Sequence, residues 1–354
     1  MIPAGPAGPG AGWAYCMDGR LKRIGPADAT IRPVLEILRV TFPFFALVLC
    51  GYVAARRRLL PTEAIGGLNA FVLFFALPCM LYRFGAGTPL HQLLDPAAFG
   101  VYLICALLMV AGTVYFSMNA RIRWNDAAFG ALVAAFPNTG FMGVPLLVAL
   151  LGAQAAGPAI LTILVDLVVT SSLCIALSRL DGADEHGAAE AARKALKGAA
   201  ANPMPWAIAL GALSSGLGIK PVQPVMDTIG LMADAASPVA LFTIGAVLAR
   251  SQRLAAAEEH DPLPARDFVP VAVAKLIVHP MLVLAAGSAA IALGLPLDRF
   301  ALTVMVLVAA LPSASNVSLL AERFGADNGR IARIILLTTA AAFLSFSAAV
   351  ALLR

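Results

Sequence analysis

Charged residues are scarce in this sequence, and their scarcity excludes a water-soluble protein. Only 13% of the 354 residues are Asp, Glu, Lys or Arg, whereas a soluble domain carries about 25%. Hydrophobic residues make up 60% of the chain, and the mean hydropathy is +0.86. They occur in long runs, each near the roughly 20 residues that a helix needs to cross a bilayer core. The composition therefore predicts an all-α membrane protein.

The sequence also lacks the motifs of several enzyme and metal-site classes. Its five cysteines include no CxxC pair, so neither a disulfide framework nor a zinc site is indicated. It contains no HExxH, no GxSxG and no pair of aspartates in a glycine-bounded motif, which argues against an enzyme. Without a P-loop, the driving force is expected to be an ion or substrate gradient, and no cofactor or metal is expected.

The net charge of +5 comes from basic residues scattered through short loops, which argues against a nucleic-acid partner. One set of alternate loops holds most of the Lys and Arg residues. Cytoplasmic loops carry such an excess, so this set is expected in the cytoplasm with both termini outside. The basic N-terminal tail does not fit this orientation, but the five loops agree with one another. The predicted location is the cell membrane, as a multi-pass protein of a bacterial inner membrane.

Ten apolar segments, each bounded by charge, Gly or Pro, are predicted to span the membrane. Residues 1–32, rich in Pro, Gly and Ala, are expected to be a flexible tail. Residues 33–179 hold the first five spans, residues 180–201 form a cytoplasmic connector, and residues 202–354 hold the second five. The spans are predicted at about 34–55, 64–86, 97–119, 125–151, 157–178, 203–219, 225–249, 267–293, 299–322 and 331–353.

Short motifs recur five spans apart and indicate an internal repeat. The run ALPCMLY of span two is similar to ASPVALF of span seven, and AAFPNTG of span four is similar to AALPSASN of span nine. Because five is an odd number, the second half would enter the membrane from the opposite side. The predicted fold is therefore two inverted five-helix repeats, an arrangement common among transporters.

Prolines interrupt spans four and nine beside short polar runs. A proline removes a helical hydrogen bond, and backbone groups freed inside a membrane must line protein or a water-filled cavity. Each run is therefore predicted to be an unwound crossover that restarts a half-helix, whose N-terminus carries free N–H groups and partial positive charge. Two such N-termini facing each other would bind an anion such as a carboxylate. The crossover prolines are Pro137 and Pro312, and the candidate substrate-binding residues are Asn138, Thr139, Gly140, Ser313, Ser315 and Asn316.

Ionisable residues inside membrane spans are functional candidates, and two of those in the predicted spans rank highest. Asp166, in LTILVDLVVTSS of span five, is a candidate for carrying a coupling proton or cation, or for hydrogen-bonding the broken backbone. Lys275, in VAVAKLIVHP of span eight, is a candidate counter-charge for the substrate or for Asp166. Snorkelling of Lys275 to the cytoplasmic interface is an open alternative. His279, one turn later, is expected to be a packing group.

The sequence resembles the auxin efflux carrier family over about residues 34–354. The resemblance rests on FPNTGFMGVPLL, ANPMPWAIALGALSSGLGI, ASPVALFTIGAVL and LPSASNVSLLAERFG. It implies a scaffold, a mobile transport domain and elevator-type movement, with spans four and nine crossing at the substrate site. It also implies that Asn138 contacts the substrate, as the corresponding Asn does in plant members. Span three has no acidic residue and no lysine, unlike plant carriers, and the connector is short, so a bacterial organic-acid permease fits better.

The predicted function is secondary transport of a small organic anion, a mono- or dicarboxylate such as malonate or malate. The expected partners are that anion, the lipid bilayer and a coupling ion, either a proton or sodium. Formation of a homodimer is an open alternative. Alternatives are a bile-acid-symporter-like protein or a cation/proton antiporter on the same fold, a channel or, in a different class, an intramembrane enzyme.

Overall fold

The computed structural model describes residues 13–15, 21–23, 26–180, 193, 197, 200–219, 221–257 and 264–353. Two three-residue strands, β1 (Trp13–Tyr15) and β2 (Leu21–Arg23), pair antiparallel near the N-terminus. Nearly all the remaining regular structure in these ranges is helical. Most of the predicted tail and most of the predicted connector lie outside the described residues, so both stay predictions.

The helices before the connector fill the first half of the chain. They are α1 (Pro26–Arg56), α2 (Thr62–Phe71), α3 (Leu77–Gly87), α4 (Leu90–Leu93), α5 (Pro96–Ser117), α6 (Trp124–Ala135), α7 (Val144–Leu151), α8 (Ala156–Leu164) and α9 (Ser171–Leu177). Short π-helical segments, Val72–Ala76 and Val165–Thr170, join α2 to α3 and α8 to α9. A third, Thr139–Gly143, leads into α7, and a 3₁₀ turn, Ala153–Ala155, leads into α8.

The second half of the chain has a similar succession of long and short helices. They are α10 (Pro203–Leu217), α11 (Gln223–Ala257), α12 (Val269–Val273), α13 (His279–Ala292), α14 (Arg299–Ala309), α15 (Val317–Arg323) and α16 (Asn328–Leu353). A 3₁₀ turn, Ala265–Asp267, precedes α12, and a π-helical segment, Ala274–Val278, joins α12 to α13.

Seven helical stretches in the described part of the chain are long and apolar enough to cross a membrane. They are Ile37–Arg56, Thr62–Gly87, Pro96–Ser117, Ala153–Leu177, Gln223–Arg250, Val269–Ala292 and Asn328–Leu353. The other three predicted spans differ for a visible reason. Spans four and nine are each split into two shorter helices, and span six is the 15-residue helix α10, about 22 Å long at 1.5 Å per residue. The prediction of an all-helical, multi-pass membrane protein is confirmed.

Side-chain caps fix the start of three of these helices. The Asp95 carboxylate accepts hydrogen bonds from Ala97 N at 2.9 Å and Ala98 N at 3.0 Å, which starts α5. Asn202 caps α10 and Asp298 caps α14 in the same way. Each cap satisfies N–H groups that the first helical turn leaves without a partner. These three polar residues, which lie in the loops between predicted spans, therefore set where the helices begin.

Glycines allow the backbones of α1 and α11 to touch. A Cβ added at Gly51 would stand 1.8 Å from the carbonyl oxygen of Phe242, and one at Gly245 would stand 1.9 Å from that of Val48. Helices α3 and α10 also approach closely, since a Cβ at Gly211 would lie 2.7 Å from the Tyr82 carbonyl oxygen. Small residues at helix contacts bring backbones together in membranes, where apolar burial alone drives little association. Helix α11 also packs on α3, so α1, α3, α10 and α11 form one connected group.

Replacing Gly51 by alanine is expected to destabilise this group of helices. The new methyl overlaps a backbone oxygen that cannot rotate away, and overpacking of this kind costs about 1–3 kcal/mol. The thermal midpoint of the detergent-solubilised protein should fall by several degrees. Gly67→Ala is the matched control, because nothing lies within 4 Å of a Cβ at that helical position. Equal midpoints for the two variants would contradict the close packing of α1 and α11.

A buried arginine ties three helix starts together at one end of the bundle. Arg330 in the first turn of α16 is 1% exposed, and its Nε donates to the Asp267 carbonyl oxygen at 2.7 Å. Its Nη1 donates to the Asp126 carbonyl oxygen, near the start of α6, at 2.8 Å. Gly130 faces the guanidinium, and a Cβ there would stand 2.8 Å from Nη1. The Arg330 side chain thus joins α6, the turn before α12, and α16.

Candidate functional site

The chain is interrupted at two places, each next to one of the predicted prolines. Helix α6 ends at Ala135, and the helical backbone resumes only at Thr139. Helix α14 ends at Ala309, and α15 begins at Val317. A proline cannot donate to the preceding turn, which explains why neither helix continues through its polar run.

The two interruptions cross and hydrogen-bond to each other. Pro137 and Ser313 form an isolated antiparallel β-bridge. Asn138 N donates to the Pro312 carbonyl oxygen at 2.8 Å, and Ala314 N donates to the Phe136 carbonyl oxygen at 3.0 Å. The extended segments thereby satisfy one another's backbone groups, as non-helical backbone inside a membrane requires.

The Ser313 side chain fastens the crossing on one side. Its hydroxyl donates to the Val133 carbonyl oxygen at 2.7 Å, and its backbone N–H reaches the Thr338 hydroxyl at 3.3 Å. The Val133 carbonyl is close to the end of α6, where helical carbonyls lose their intrahelical partners. Ser313 therefore links the second crossover to α6 and α16.

Several donors at the starts of the two half-helices have no partner among the described residues. These donors are the backbone N–H groups of Gly140 and Phe141 in one half-helix, and of Ser315 and Asn316 before the other. No hydrogen bond is found in this region for the side-chain amide of Asn138 or of Asn316 either. Free N–H groups with partial positive charge at a helix N-terminus favour an anion.

A small cavity lies against the crossing. It offers about 20 Å³ to the centre of a water-sized sphere, enough for about one water molecule. Its walls come from both crossovers, from α8 and the Val165–Thr170 segment, and from α3 and α10. The lining residues are Leu77, Phe136, Pro137, Asn138, Gly140, Phe141, Ile163, Leu167, Met204, Ala314 and Asn316. This space is smaller than an organic acid, so a substrate would fit only if these walls moved apart.

A larger cavity lies elsewhere, at the starts of α5 and α14. It offers about 370 Å³ and is lined by residues that include Asp95, Asp298, Gln92 and Gln154. Both carboxylates face it while capping their helices. Two negative charges disfavour an anionic ligand, so its size does not make it the better anion site.

An inner polar cluster of Tyr102, Asp166, Thr170, Lys275 and His279 is buried behind the second crossover. Tyr102 Oη and Thr170 Oγ1 donate to the two carboxylate oxygens of Asp166, at 3.1 Å and 3.2 Å. Lys275 Nζ donates to the carbonyl oxygen of Ala309, the last residue of α14, at 2.6 Å. It also lies 3.3 Å from His279 Nδ1. All five side chains are at most 1% exposed.

The family model described as "Membrane transport protein" matches residues 37–350 of this chain. The chain belongs to the auxin efflux carrier family. Because the match runs through both crossovers and the inner polar cluster, they lie within the family's shared region. The membership indicates a membrane transporter rather than an enzyme, as the sequence predicts.

Relatives of this transporter occur in bacteria and plants. The "Putative malonate transporter" of Rhizobium meliloti (strain 1021) is 30% identical over 314 residues, which cover 86% of this chain and 92% of the relative. The "Uncharacterized transporter YfdV" of Escherichia coli (strain K12) is 29% identical over 80% of this chain and 86% of its own length. The "Auxin efflux carrier component 4" of Arabidopsis thaliana is 22% identical over 44% of this chain and 25% of the relative.

The candidate substrate-binding residues occupy different positions around the crossing. Asn138, Gly140 and Asn316 line the cavity. The Ser313 hydroxyl is directed to Val133, while Thr139 is fully buried and its Oγ1 has no partner among the described residues. Ser315 is 5% exposed and is not among the residues that line the cavity. Which of the six bind substrate stays a proposal.

Sequence reasoning missed the apolar walls of the cavity and part of the inner polar cluster. Leu77 of α3 and Met204 of α10 face the crossing from other spans. Both lie in motifs that the sequence analysis singled out, but those motifs do not show which of their residues face the crossing. Tyr102 is the one polar aromatic side chain in AFGVYLICALL, which was a usable signal for a buried partner of Asp166. The π-helical turns that hold Asp166 and Lys275 have no sequence signature, although such turns often mark functional sites.

Proposed function

We propose that this chain is a secondary active transporter of small organic anions, mono- or dicarboxylates such as malonate or malate. The observation that carries the proposal is the crossing itself. Two half-helix N-termini with free N–H groups and two side-chain amides, those of Asn138 and Asn316, meet at one cavity. The name of the Rhizobium meliloti relative supports a short dicarboxylate as the substrate class.

The site favours an anion over a cation because of its donors. Asn138, Gly140 and Asn316 supply N–H groups, and no carboxylate is among the cavity-lining residues in the described part of the chain. Hydrogen bonds from N–H groups to a charged acceptor are worth about 1.5–3 kcal/mol each. A few of them offset the loss of hydration of a carboxylate that enters the cavity.

Packing supports two inverted five-helix repeats of ten spans. Helix α1 packs on α11 and α10 packs on α3, which is the same pair of contacts shifted by five spans. Likewise α5 packs on α6, and α13 packs on α14. In both halves the second helix of this pair, α6 or α14, belongs to a span that is interrupted at a proline. Matching contacts of this kind are what two related halves would produce.

The position of the cavity supports an elevator-type movement. Its walls combine the two crossovers with Leu77 and Met204, which belong to the group formed by α1, α3, α10 and α11. We propose that this group is the scaffold and that α5–α9 and α12–α16 carry the substrate past it. Movement of one group of helices against the other would widen the cavity enough to admit an organic acid.

Purified protein in proteoliposomes tests this function directly. Vesicles loaded with unlabelled malonate should take up external radiolabelled malonate by exchange, and malate should compete. Malonamide, the neutral diamide of nearly the same shape, should not compete because it carries no negative charge. Lack of exchange with every carboxylate tested, or equal competition by malonamide, would overturn the proposal.

Binding of the substrate should raise the thermal stability of the purified protein. A ligand that binds only the folded state stabilises it by about 2.7 kcal/mol at a hundredfold excess over Kd. We therefore expect malonate to raise the midpoint by several degrees in a concentration-dependent way. Malonamide at the same concentration serves as the control. Identical midpoints with both compounds up to millimolar concentrations would argue against the crossover as an anion site.

A further inference from the structure

The inner polar cluster adjoins the second crossover but none of its residues lines the cavity. Lys275 Nζ bonds the carbonyl oxygen of Ala309, and Ala309 is the last helical residue before the crossover. The substrate site and this cluster are therefore connected through α14. A fully buried lysine in a membrane span is expensive to keep and is a candidate for a functional role.

We propose that Lys275 Nζ is the site at which this protein binds and releases a coupling proton, so that one proton and one organic anion are transported together. The proposal rests on the proposed function and deepens it by naming the coupling ion. In one form of the cycle Lys275 is an ammonium. In the other it is a neutral amine that has released one proton to water on the side to which the cluster has opened.

In this proposal Asp166 is the fixed negative charge of the cluster. Its two carboxylate oxygens lie within hydrogen-bond distance of Tyr102 Oη and Thr170 Oγ1, which can both donate to an ionised carboxylate. Asp166 can therefore stay ionised while Lys275 changes its protonation.

His279 allows Lys275 to be satisfied in both forms. An ammonium donates to the Ala309 carbonyl oxygen and to His279 Nδ1. A neutral amine still donates to Ala309 and accepts from Nδ1 once the imidazole carries its proton there. His279 Nε2 has no partner among the described residues, so no other bond holds the ring in one tautomer. Lys275 can thus gain or release a proton while it keeps both of its hydrogen bonds.

The Lys275 ammonium lies at the C-terminal end of α14, a position that also attracts metal cations. The carbonyl oxygens at the end of α14 carry partial negative charge and attract a cation, and Lys275 Nζ is 2.6 Å from one of them. Because the Lys275 ammonium already supplies a positive charge at this helix end, the arrangement favours a proton over sodium as the coupling ion.

Electrostatic attraction couples the protonation of Lys275 to binding of the substrate anion. An anion in the cavity and an ammonium behind the crossover attract each other strongly in a low-dielectric interior, so each favours entry of the other. His279 is the ionisable group in contact with Lys275, and the Tyr102 ring, which packs against His279, connects it to Asp166. Helices α6 and α16 also pack on its π-helical segment, but their ionisable residues, Asp126, Arg330 and Arg333, lie near the helix starts.

The wild-type protein in proteoliposomes provides the first test. External pH 6.5 against internal pH 7.5, with no sodium present, should drive malonate accumulation above equilibrium, and an entrapped pH dye should report acidification that depends on malonate. Protein-free liposomes and a protonophore are the controls. Accumulation driven by a sodium gradient at equal pH, or exchange without any response to the pH gradient, would overturn proton coupling. Complete lack of exchange would instead count against the proposed function.

Lys275→Arg separates proton coupling from a fixed positive charge. Arginine keeps the charge but does not release its proton in proteins. Malonate exchange should stay within a few-fold of wild type, while accumulation driven by the pH gradient should fall at least tenfold. Full accumulation in this variant would contradict the proposal. If the variant does not fold, His279→Leu provides a second test, because leucine removes the group that pairs with Lys275 in both forms. Unaltered pH-driven accumulation in that variant would also contradict the proposal.

Discussion

Replacing Asn138 by alanine is expected to reduce carboxylate uptake into proteoliposomes by about tenfold to a hundredfold. The side-chain amide of Asn138 lines the crossing cavity and has no hydrogen-bond partner among the described residues. A hydrogen bond to a carboxylate is worth about 1.5–3 kcal/mol, which corresponds to that range of affinity. The measurement is the initial rate of radiolabelled malonate exchange at equal amounts of reconstituted protein.

Two further variants sharpen the test at Asn138. Asn138→Asp keeps the shape of the side chain but places a negative charge beside the substrate, so its uptake should be lower still. Asn119→Ala is the control, since Asn119 caps an exposed turn between α5 and α6 and should leave uptake near the wild-type rate. If Asn138→Ala folds normally and transports as fast as Asn119→Ala, the crossing does not bind the substrate.

Replacing Arg330 by methionine should cause the largest loss of stability in this protein. Its guanidinium bonds the carbonyl oxygens of Asp126 and Asp267, and the side chain is 1% exposed. Methionine removes both bonds and leaves two buried carbonyl oxygens without these donors, which costs about 1–3 kcal/mol for each. The thermal midpoint of the solubilised protein should fall by several degrees.

Arg323→Met is the matched control for Arg330→Met. Arg323 is an exposed arginine at the end of α15, and its replacement removes the same charge and adds the same side chain. Its midpoint should stay close to that of the wild type, because exposed charges contribute little. If the two variants lose stability equally, Arg330 does not hold the starts of α6, α12 and α16 together.

The long apolar spans could be predicted from the sequence because the bilayer imposes one rule on all of them. A stretch near 20 apolar residues must be helical, and seven stretches in the described part of the chain meet that condition. The ends were harder to place. Helix α1 begins at Pro26, ahead of the predicted residue 34, and α11 continues to Ala257, beyond the predicted residue 249. A helix that continues beyond the bilayer can contain polar residues, so hydropathy does not show where it begins or ends.

The crossing was predictable for a different reason. Pro137 and Pro312 each remove a helical hydrogen bond, and the polar residues that follow each of them mark a break inside a membrane span. The sequence could not show that Ser313 would bond Val133, because that contact joins residues 180 positions apart. It also gave no sign that Arg330, which by its sequence position belongs with the basic loop residues, is buried.

The inner polar cluster was only half visible in the sequence. Asp166 and Lys275 are conspicuous as charges in apolar runs, and both prove fully buried, so Lys275 does not snorkel to the interface. Their actual partners come from other spans and from the backbone. Tyr102 reaches Asp166 across 64 residues, and Lys275 bonds a carbonyl oxygen of α14. Such pairings depend on tertiary packing, which a single sequence does not reveal.

A structure determined with malonate bound tests the central claim most directly. The account predicts density for the anion between Asn138 and Asn316, within hydrogen-bond distance of the backbone N–H groups of Gly140 or Asn316, with the cavity widened by movement of α3 and α10 away from the crossing. Density for malonate in the larger cavity beside Asp95 and Asp298, with the crossing still closed and empty, would contradict it.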